Sequence, residues 1–149
     1  MWVHYKKFSP RHQSLHAVHR PIHGAYILSE NQVMGSRGLR PDLVLRKGPK
    51  IYIVDFENRM TAFQAAAEEK RTKYEELRSE MAAQHVAEVA VVPFINGSLG
   101  AWDPDNDSFL RLICSRSYGK LFQKLCVSET IKFTRDIYIE HITGIRQTE

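Results

Sequence analysis

The sequence contains only two cysteines, Cys114 and Cys126, and no apolar run of the roughly 18 residues that a transmembrane helix needs. Two cysteines are too few for a disulfide framework or a cysteine-built zinc site, and their scarcity favours a reducing, intracellular compartment. Residues 1–7 also lack the apolar core of a signal peptide. We therefore expect no membrane partner.

The remaining composition is that of a globular domain, with 149 residues, 43% of them hydrophobic and 26% charged. The net charge of +4 suits a polyanionic partner such as nucleic acid, although many basic proteins bind none. Residues 1–23 are basic and rich in histidine, and Pro10 and Pro21 interrupt them. This composition predicts a basic, histidine-rich arm at residues 1–23, and residues 24–149 are expected to form the folded domain.

Apolar runs separated by turn residues predict a small α/β domain, in which a hairpin is followed by a helical crossover to a fourth strand. A long helix is expected from Thr61, which begins a capping box, to about Ala83. From Asp107 onward the pattern indicates two or three shorter helices, one of them capped by Ser128. The predicted strands lie at about 25–28, 39–45, 51–55 and 86–95.

Two neighbouring strands of this pattern each carry one aspartate, Asp42 and Asp55. If the hairpin folds symmetrically about Gly48 and Pro49, these residues lie opposite each other with Cβ atoms roughly 5 Å apart. Like charges at that distance repel, whereas a divalent cation such as Mg²⁺ or Mn²⁺ would bind both carboxylates. The spacing therefore predicts a two-aspartate metal site.

The long helix places a lysine inside its apolar stripe. At about 100° per residue, Lys70 lies about 20° from Phe63, and Lys73 lies at the edge of the same face. Lys70 has three interpretations: it reaches past the sheet to solvent, it neutralises Asp42 or Asp55, or it completes a catalytic site beside the metal. The apolar stripe consists of Phe63, Ala67, Tyr74, Leu77 and Met81.

Three basic residues, Arg116, Lys120 and Lys124, recur at every fourth position and share one face of a predicted helix. Such a face is either solvated or follows the phosphates of double-stranded DNA. Both interpretations stay open at this point.

The order Pro41-Asp42, then Asp55, then a lysine on the following helix resembles the PD-(D/E)xK nuclease pattern. Longer blocks in the same order resemble the restriction-enzyme-like endonuclease domain at the C-terminus of some non-LTR retrotransposon polyproteins, downstream of the reverse transcriptase. The resemblance covers roughly residues 11–147, and Arg11-His12 is similar to the basic-His motif that begins that domain. The blocks are Leu39–Leu45, Phe56–Arg59, Lys70 with Lys73-Tyr74, Gly97–Pro104 and Arg135–Gly144.

This resemblance implies a restriction-endonuclease-like core, with a small mixed sheet flanked by helices and a C-terminal helical extension. It implies a nuclear, Mg²⁺- or Mn²⁺-dependent nick in double-stranded target DNA, whose free 3′ end primes reverse transcription. The polymerase would belong to the same polyprotein, since this chain has no polymerase motif and no Cys-rich zinc knuckle. Two rivals are a catalytically degenerate DNA-binding copy of the fold and a transposon-derived structural or interaction domain.

The resemblance also assigns roles to residues. Asp42 and Asp55 would hold the metal, and Lys70 would act at the phosphate, with Lys73 as the second choice. Arg40 lies in the first block and joins the three basic helix residues as a DNA-binding candidate.

The chain departs from the family after Asp55, where family members carry about four more residues before Phe-Glu-Asn-Arg. The loss shortens the segment by roughly 13 Å of strand. If the strand continues past Glu57 and the helix starts at Thr61, Lys70 returns about 13 Å along the helix, close to Asp55. Glu57 then shares the strand face of Asp55, where it would bind metal or repel phosphate. We predict preserved architecture, a metal site and weak nicking.

Overall fold

The computed structural model describes residues 24–59 and 62–145, so the predicted arm and Thr61 lie outside the described residues. The predicted α/β class is confirmed. No helix in these two ranges is long and apolar enough to cross a membrane. The elements follow the order β1 (Ala25–Glu30), β2 (Leu43–Lys47), β3 (Lys50–Arg59), α1 (Phe63–His85), β4 (Glu88–Gly97), α2 (Asn106–Ile113) and α3 (Arg116–Thr143).

The four described strands form one mixed sheet in the order β1-β2-β3-β4. The first two pairings are antiparallel, and β3 pairs with β4 in parallel, so α1 is the crossover that the sequence predicts. The β2–β3 hairpin is symmetric as expected, with Lys47 opposite Lys50. Gly48 makes this turn possible because its φ of 57° suits a residue without a side chain.

Side chains on a strand alternate between two faces, and both faces of this sheet are covered. On one face, Ile51 and Ile53 of β3 pack against Tyr74 and Leu77 of α1. On the other face, β3 packs against α2 and α3 through a cluster that includes Phe56. Burying a side chain of this size stabilises the fold by about 2 kcal/mol. The sheet thus separates a layer formed by α1 from a layer formed by α2 and α3.

The predicted series of short C-terminal helices is wrong in part, because α3 is one helix of 28 residues. Ser128 lies inside α3 and does not cap it. The N-cap is Ser115, whose hydroxyl accepts a hydrogen bond from the Tyr118 amide at 3.3 Å. Buried Phe122 and Cys126 lie on the face that α3 turns to the sheet, and this packing keeps the helix continuous.

Several other predicted boundaries also move, and β2 is Leu43–Lys47 where residues 39–45 were predicted. Helix α1 begins at Phe63, with Ala62 at its N-cap, so the helix does not start with a capping box at Thr61. Strand β1 continues to Glu30 through a register shift after Ile27, because pairing with β2 holds its polar end. Strand β4 begins at Glu88 because α1 extends to His85.

Candidate active site

The three acidic candidates follow from the hairpin register. Leu43 pairs with Val54 in the antiparallel β2–β3 hairpin. Asp42, which precedes Leu43, therefore lies opposite Asp55, which follows Val54. Strand alternation puts Asp55 and Glu57 on the face that α1 covers. Asp55 is fully buried and Asp42 is 6% exposed. Asp42 lies one residue before β2 and Asp55 lies in β3, so the predicted register of the two aspartates is confirmed, whereas the convergence of their carboxylates on one ion stays a prediction.

Lys70 of α1 reaches two of these acids. Its Nζ lies 2.6 Å from Asp55 Oδ2 and 2.8 Å from Glu57 Oε2. Its side chain is only 13% exposed, so the ammonium does not extend past the sheet to solvent. The predicted return of Lys70 to Asp55 is confirmed, because β3 continues to Arg59 before the chain turns into α1. Whether Lys70 acts on a phosphate stays a prediction.

Glu57 belongs to a wider chain of alternating charges. Besides Lys70, it contacts Arg59, which in turn contacts the exposed Glu69 of α1. Burial raises the pKa of Glu57, but hydrogen bonds from Lys70 and Arg59 outweigh it, so the pKa lies below its ordinary value. Burial lowers the pKa of Lys70, but the pairs with Asp55 and Glu57 raise it further, so the pKa lies above its ordinary value.

The depressed pKa of Glu57 predicts how stability responds to acid. Ionised Glu57 stabilises the fold above its unfolded pKa of about 4.3, and this contribution is lost as the pH falls through the lower folded pKa. Glu57→Gln should therefore lose less stability than the unchanged chain in urea unfolding between about pH 6 and pH 3. The control Glu68→Gln, at an exposed position on α1, should keep the original acid dependence. Identical slopes for all three proteins would contradict the assignment.

Asp42 ties the start of β2 to β3. Its Oδ2 accepts a hydrogen bond from the Phe56 amide at 2.8 Å. Within residues 24–59 and 62–145, no three or more His, Cys, Asp or Glu side chains form a metal-binding group. The two oxygens that meet at Lys70, from Asp55 and Glu57, suit a hard cation that keeps most of its water ligands, as Mg²⁺ does. The residues therefore fit the implied metal through Asp55 and Glu57 at least.

Tyr74 is a site residue that the sequence pattern assigned only to the apolar stripe. It is fully buried, and its hydroxyl donates a hydrogen bond to Asp55 Oδ1 at 3.0 Å. Lys73 lies one hydrogen bond further out, with Nζ 3.1 Å from the Tyr74 hydroxyl. A buried tyrosine needs a partner for its hydroxyl, and that need was the available signal. Tyr74 thus orients Asp55, and Lys73 contacts Tyr74.

Removing the Tyr74 hydroxyl should destabilise the fold. A hydrogen bond to a charged, buried acceptor is worth about 2 kcal/mol, so Tyr74→Phe should lower the free energy of unfolding by about that amount. Urea unfolding measures the loss, and Tyr26→Phe, at a position that is 75% exposed, is the matched control with no expected change. Equal effects of the two substitutions would show that the bond to Asp55 contributes nothing.

The basic DNA-binding candidates are divided between the two sides of the sheet. Arg116, Lys120 and Lys124 lie exposed on α3, on the side opposite α1, and form no ion pair with any described residue. The first two line a groove of about 210 Å³ between α2 and α3. Arg40 lies on the acidic side, where its carbonyl oxygen is 3.3 Å from the Tyr74 hydroxyl. The guanidinium of Arg40 donates to the Asn31 carbonyl at 2.9 Å, so only the Arg40 backbone is placed near the acids, and the α3 residues lie away from them.

Comparison with known proteins assigns no family to this chain. No protein-family model matches it, and no curated protein does. Its function is therefore inferred from the contacts of Lys70 with Asp55 and Glu57.

Proposed function

We propose that the chain is a metal-dependent DNA endonuclease of the PD-(D/E)xK type that nicks double-stranded DNA. The observation that carries this proposal is the lysine between a buried and a partly buried acid: Lys70 lies within 2.8 Å of both Asp55 and Glu57. The resemblance adds the setting, a module of a non-LTR retrotransposon polyprotein that acts with a reverse transcriptase on nuclear DNA.

The reaction would be hydrolysis of one phosphodiester bond. A water oxygen attacks phosphorus and the bond to the 3′ oxygen breaks, which leaves a 5′-phosphate and the free 3′-hydroxyl that primes synthesis. A bound Mg²⁺ would supply charge stabilisation and activation of the water. Asp55 and Glu57 would hold the cation, together with Asp42 from the segment just before β2. Lys70 would pair with a non-bridging phosphate oxygen. Tyr74 keeps Asp55 oriented throughout.

The same contacts give a reason for weak activity. Glu57 adds a negative charge where a phosphate must approach, and its carboxylate already engages both Lys70 and Arg59. This arrangement favours the second candidate, a DNA-binding copy of the fold that no longer cleaves. A transposon-derived interaction domain is the third.

A plasmid-nicking assay with Mg²⁺ separates the three candidates. Conversion of supercoiled to nicked DNA, lost on addition of a chelator and in Asp55→Asn, supports the endonuclease. Salt-sensitive DNA binding without nicking supports the degenerate copy. The absence of both activities favours the interaction domain and rules out the proposed function.

DNA binding should depend on charge and not on sequence. Lys120→Glu combined with Lys124→Glu should weaken binding to all duplexes alike and reduce the slope of log affinity against log salt by about 2 or more. Fluorescence anisotropy at several salt concentrations measures this slope. Lys132→Glu, at an exposed position about 80° around α3 from Lys124, is the control. Unchanged binding in the double variant would mean that this face of α3 is only solvated.

A further inference from the structure

One cation already lies where a metal would have to bind. Asp55 Oδ2 and Glu57 Oε2 both contact the Lys70 ammonium, at 2.6 and 2.8 Å. The three side chains are 0%, 17% and 13% exposed, so solvent screens their charges little. The two carboxylate oxygens that best fit a divalent cation are therefore occupied by a cation that the chain itself supplies.

We propose that Lys70 is a tethered competitor of the divalent metal, and that the site binds metal more tightly when a DNA phosphate draws the Lys70 ammonium away. This inference rests on the proposed function, because it takes Asp55 and Glu57 as the metal-binding acids. It makes metal loading depend on substrate, so that the free protein holds its acids neutralised.

Charge balance makes the competition strong. Asp55 and Glu57 carry two negative charges, and Lys70 and Arg59 carry two positive ones, so these four side chains are neutral together, and the exposed Glu69 beside Arg59 adds one negative charge. A divalent cation that joined them would be repelled by a positive charge a few ångströms away. Departure of Lys70 removes that repulsion and leaves a net negative site.

Each acid has a second partner that keeps it in place when Lys70 leaves. The Tyr74 hydroxyl holds Asp55 Oδ1 at 3.0 Å, and Arg59 holds Glu57. Lys70 has a flexible four-carbon stem, whereas Tyr74 is fully buried and rigid. The contacts therefore allow the ammonium to exchange between the carboxylates and a phosphate while the acids stay oriented.

The test measures Mn²⁺ binding to the full chain without DNA, by the loss of the free-ion signal in electron paramagnetic resonance. Lys70→Met should bind Mn²⁺ about tenfold or more tightly than the unchanged chain, because one nearby positive charge is removed. Lys132→Met removes the same charge from an exposed position on α3 and should leave the affinity unchanged. Equal or weaker binding by Lys70→Met, or no Mn²⁺ binding by either protein, would overturn the proposal.

Failure of this inference and failure of the proposed function give different results. If the unchanged chain nicks plasmid DNA but Lys70→Met shows no gain in Mn²⁺ affinity, the competition is wrong and the endonuclease stands. If the affinity rises but no protein nicks DNA, Lys70 competes with metal at a site that does not cleave.

The Lys70→Met protein also tests the proposal if it fails to fold without metal. Circular dichroism should then show that Mn²⁺ restores the helical signal, because the metal replaces the missing ammonium between Asp55 and Glu57. Lys70→Gln, which keeps a hydrogen-bond donor, should behave in the same way. If Mn²⁺ restores neither variant, Lys70 is a structural ion pair and the competition is excluded.

Discussion

Lys70→Met is expected to lower the free energy of unfolding by about 3 kcal/mol at neutral pH in the absence of metal. The substitution leaves Asp55 fully buried and Glu57 largely buried, without the cation that both contact. An unpaired buried charge is costlier than a neutral group of the same shape. Urea unfolding measures the loss, and Lys132→Met, at an exposed position, should change little.

A double-mutant cycle isolates the pair with Asp55. Adding Asp55→Asn to Lys70→Met removes the uncompensated charge, so the double variant should be more stable than Lys70→Met alone. Strictly additive losses would show that the ammonium and Asp55 do not stabilise each other, and the charge cluster would then be a feature of geometry without energetic weight.

Lys70→Ala is expected to reduce Mg²⁺-dependent nicking by about a hundredfold or more, because it removes the cation that would stabilise charge on the phosphate. The assay is run where circular dichroism shows the variant to be folded. Lys73→Ala should have a smaller effect, because Lys73 contacts the Tyr74 hydroxyl and pairs with no acid among the described residues.

One control and two contrary outcomes define this result. Lys132→Ala should nick as the unchanged chain does, since its side chain lies exposed on the opposite side of the sheet. Robust nicking by Lys70→Ala would remove Lys70 from the reaction, and a greater loss in Lys73→Ala would transfer its role to the second choice.

The position of Lys70 was predictable because it depends on lengths that all strands and helices share. Residues rise about 3.3 Å along a strand and about 1.5 Å along a helix. The distance that β3 runs past Asp55 and the distance that α1 runs back can therefore both be calculated from residue counts. The helix begins at Phe63, two residues later than predicted, and Lys70 still reaches Asp55. A shift of this size is absorbed by the long lysine stem.

The single long helix α3 was not predictable in the same way. Serine is frequent at helix N-caps, so the local pattern around Ser128 favoured the start of a new helix there. Burial of Phe122 and Cys126 against the sheet stabilises the uninterrupted helix instead, and that contact joins residues far apart in the sequence. The hydrogen bond from Tyr74 to Asp55 was missed for a related reason. The apolar stripe shows which face of the helix is buried, but the partner of the hydroxyl depends on the packing of α1 against β3.

Local sequence pattern was enough to predict the α/β class, the symmetric hairpin that sets Asp42 opposite Asp55, and the shared face of Asp55 and Glu57. These follow from turn residues and from the two-residue repeat of a strand, which are local properties. Two other features depend on how the layers pack. The Lys70 ammonium joins Asp55 to Glu57, and the basic residues of α3 lie on the other side of the sheet. Such choices depend on which layers pack together and on the partners that each buried polar group finds there, and no short stretch of sequence contains that information.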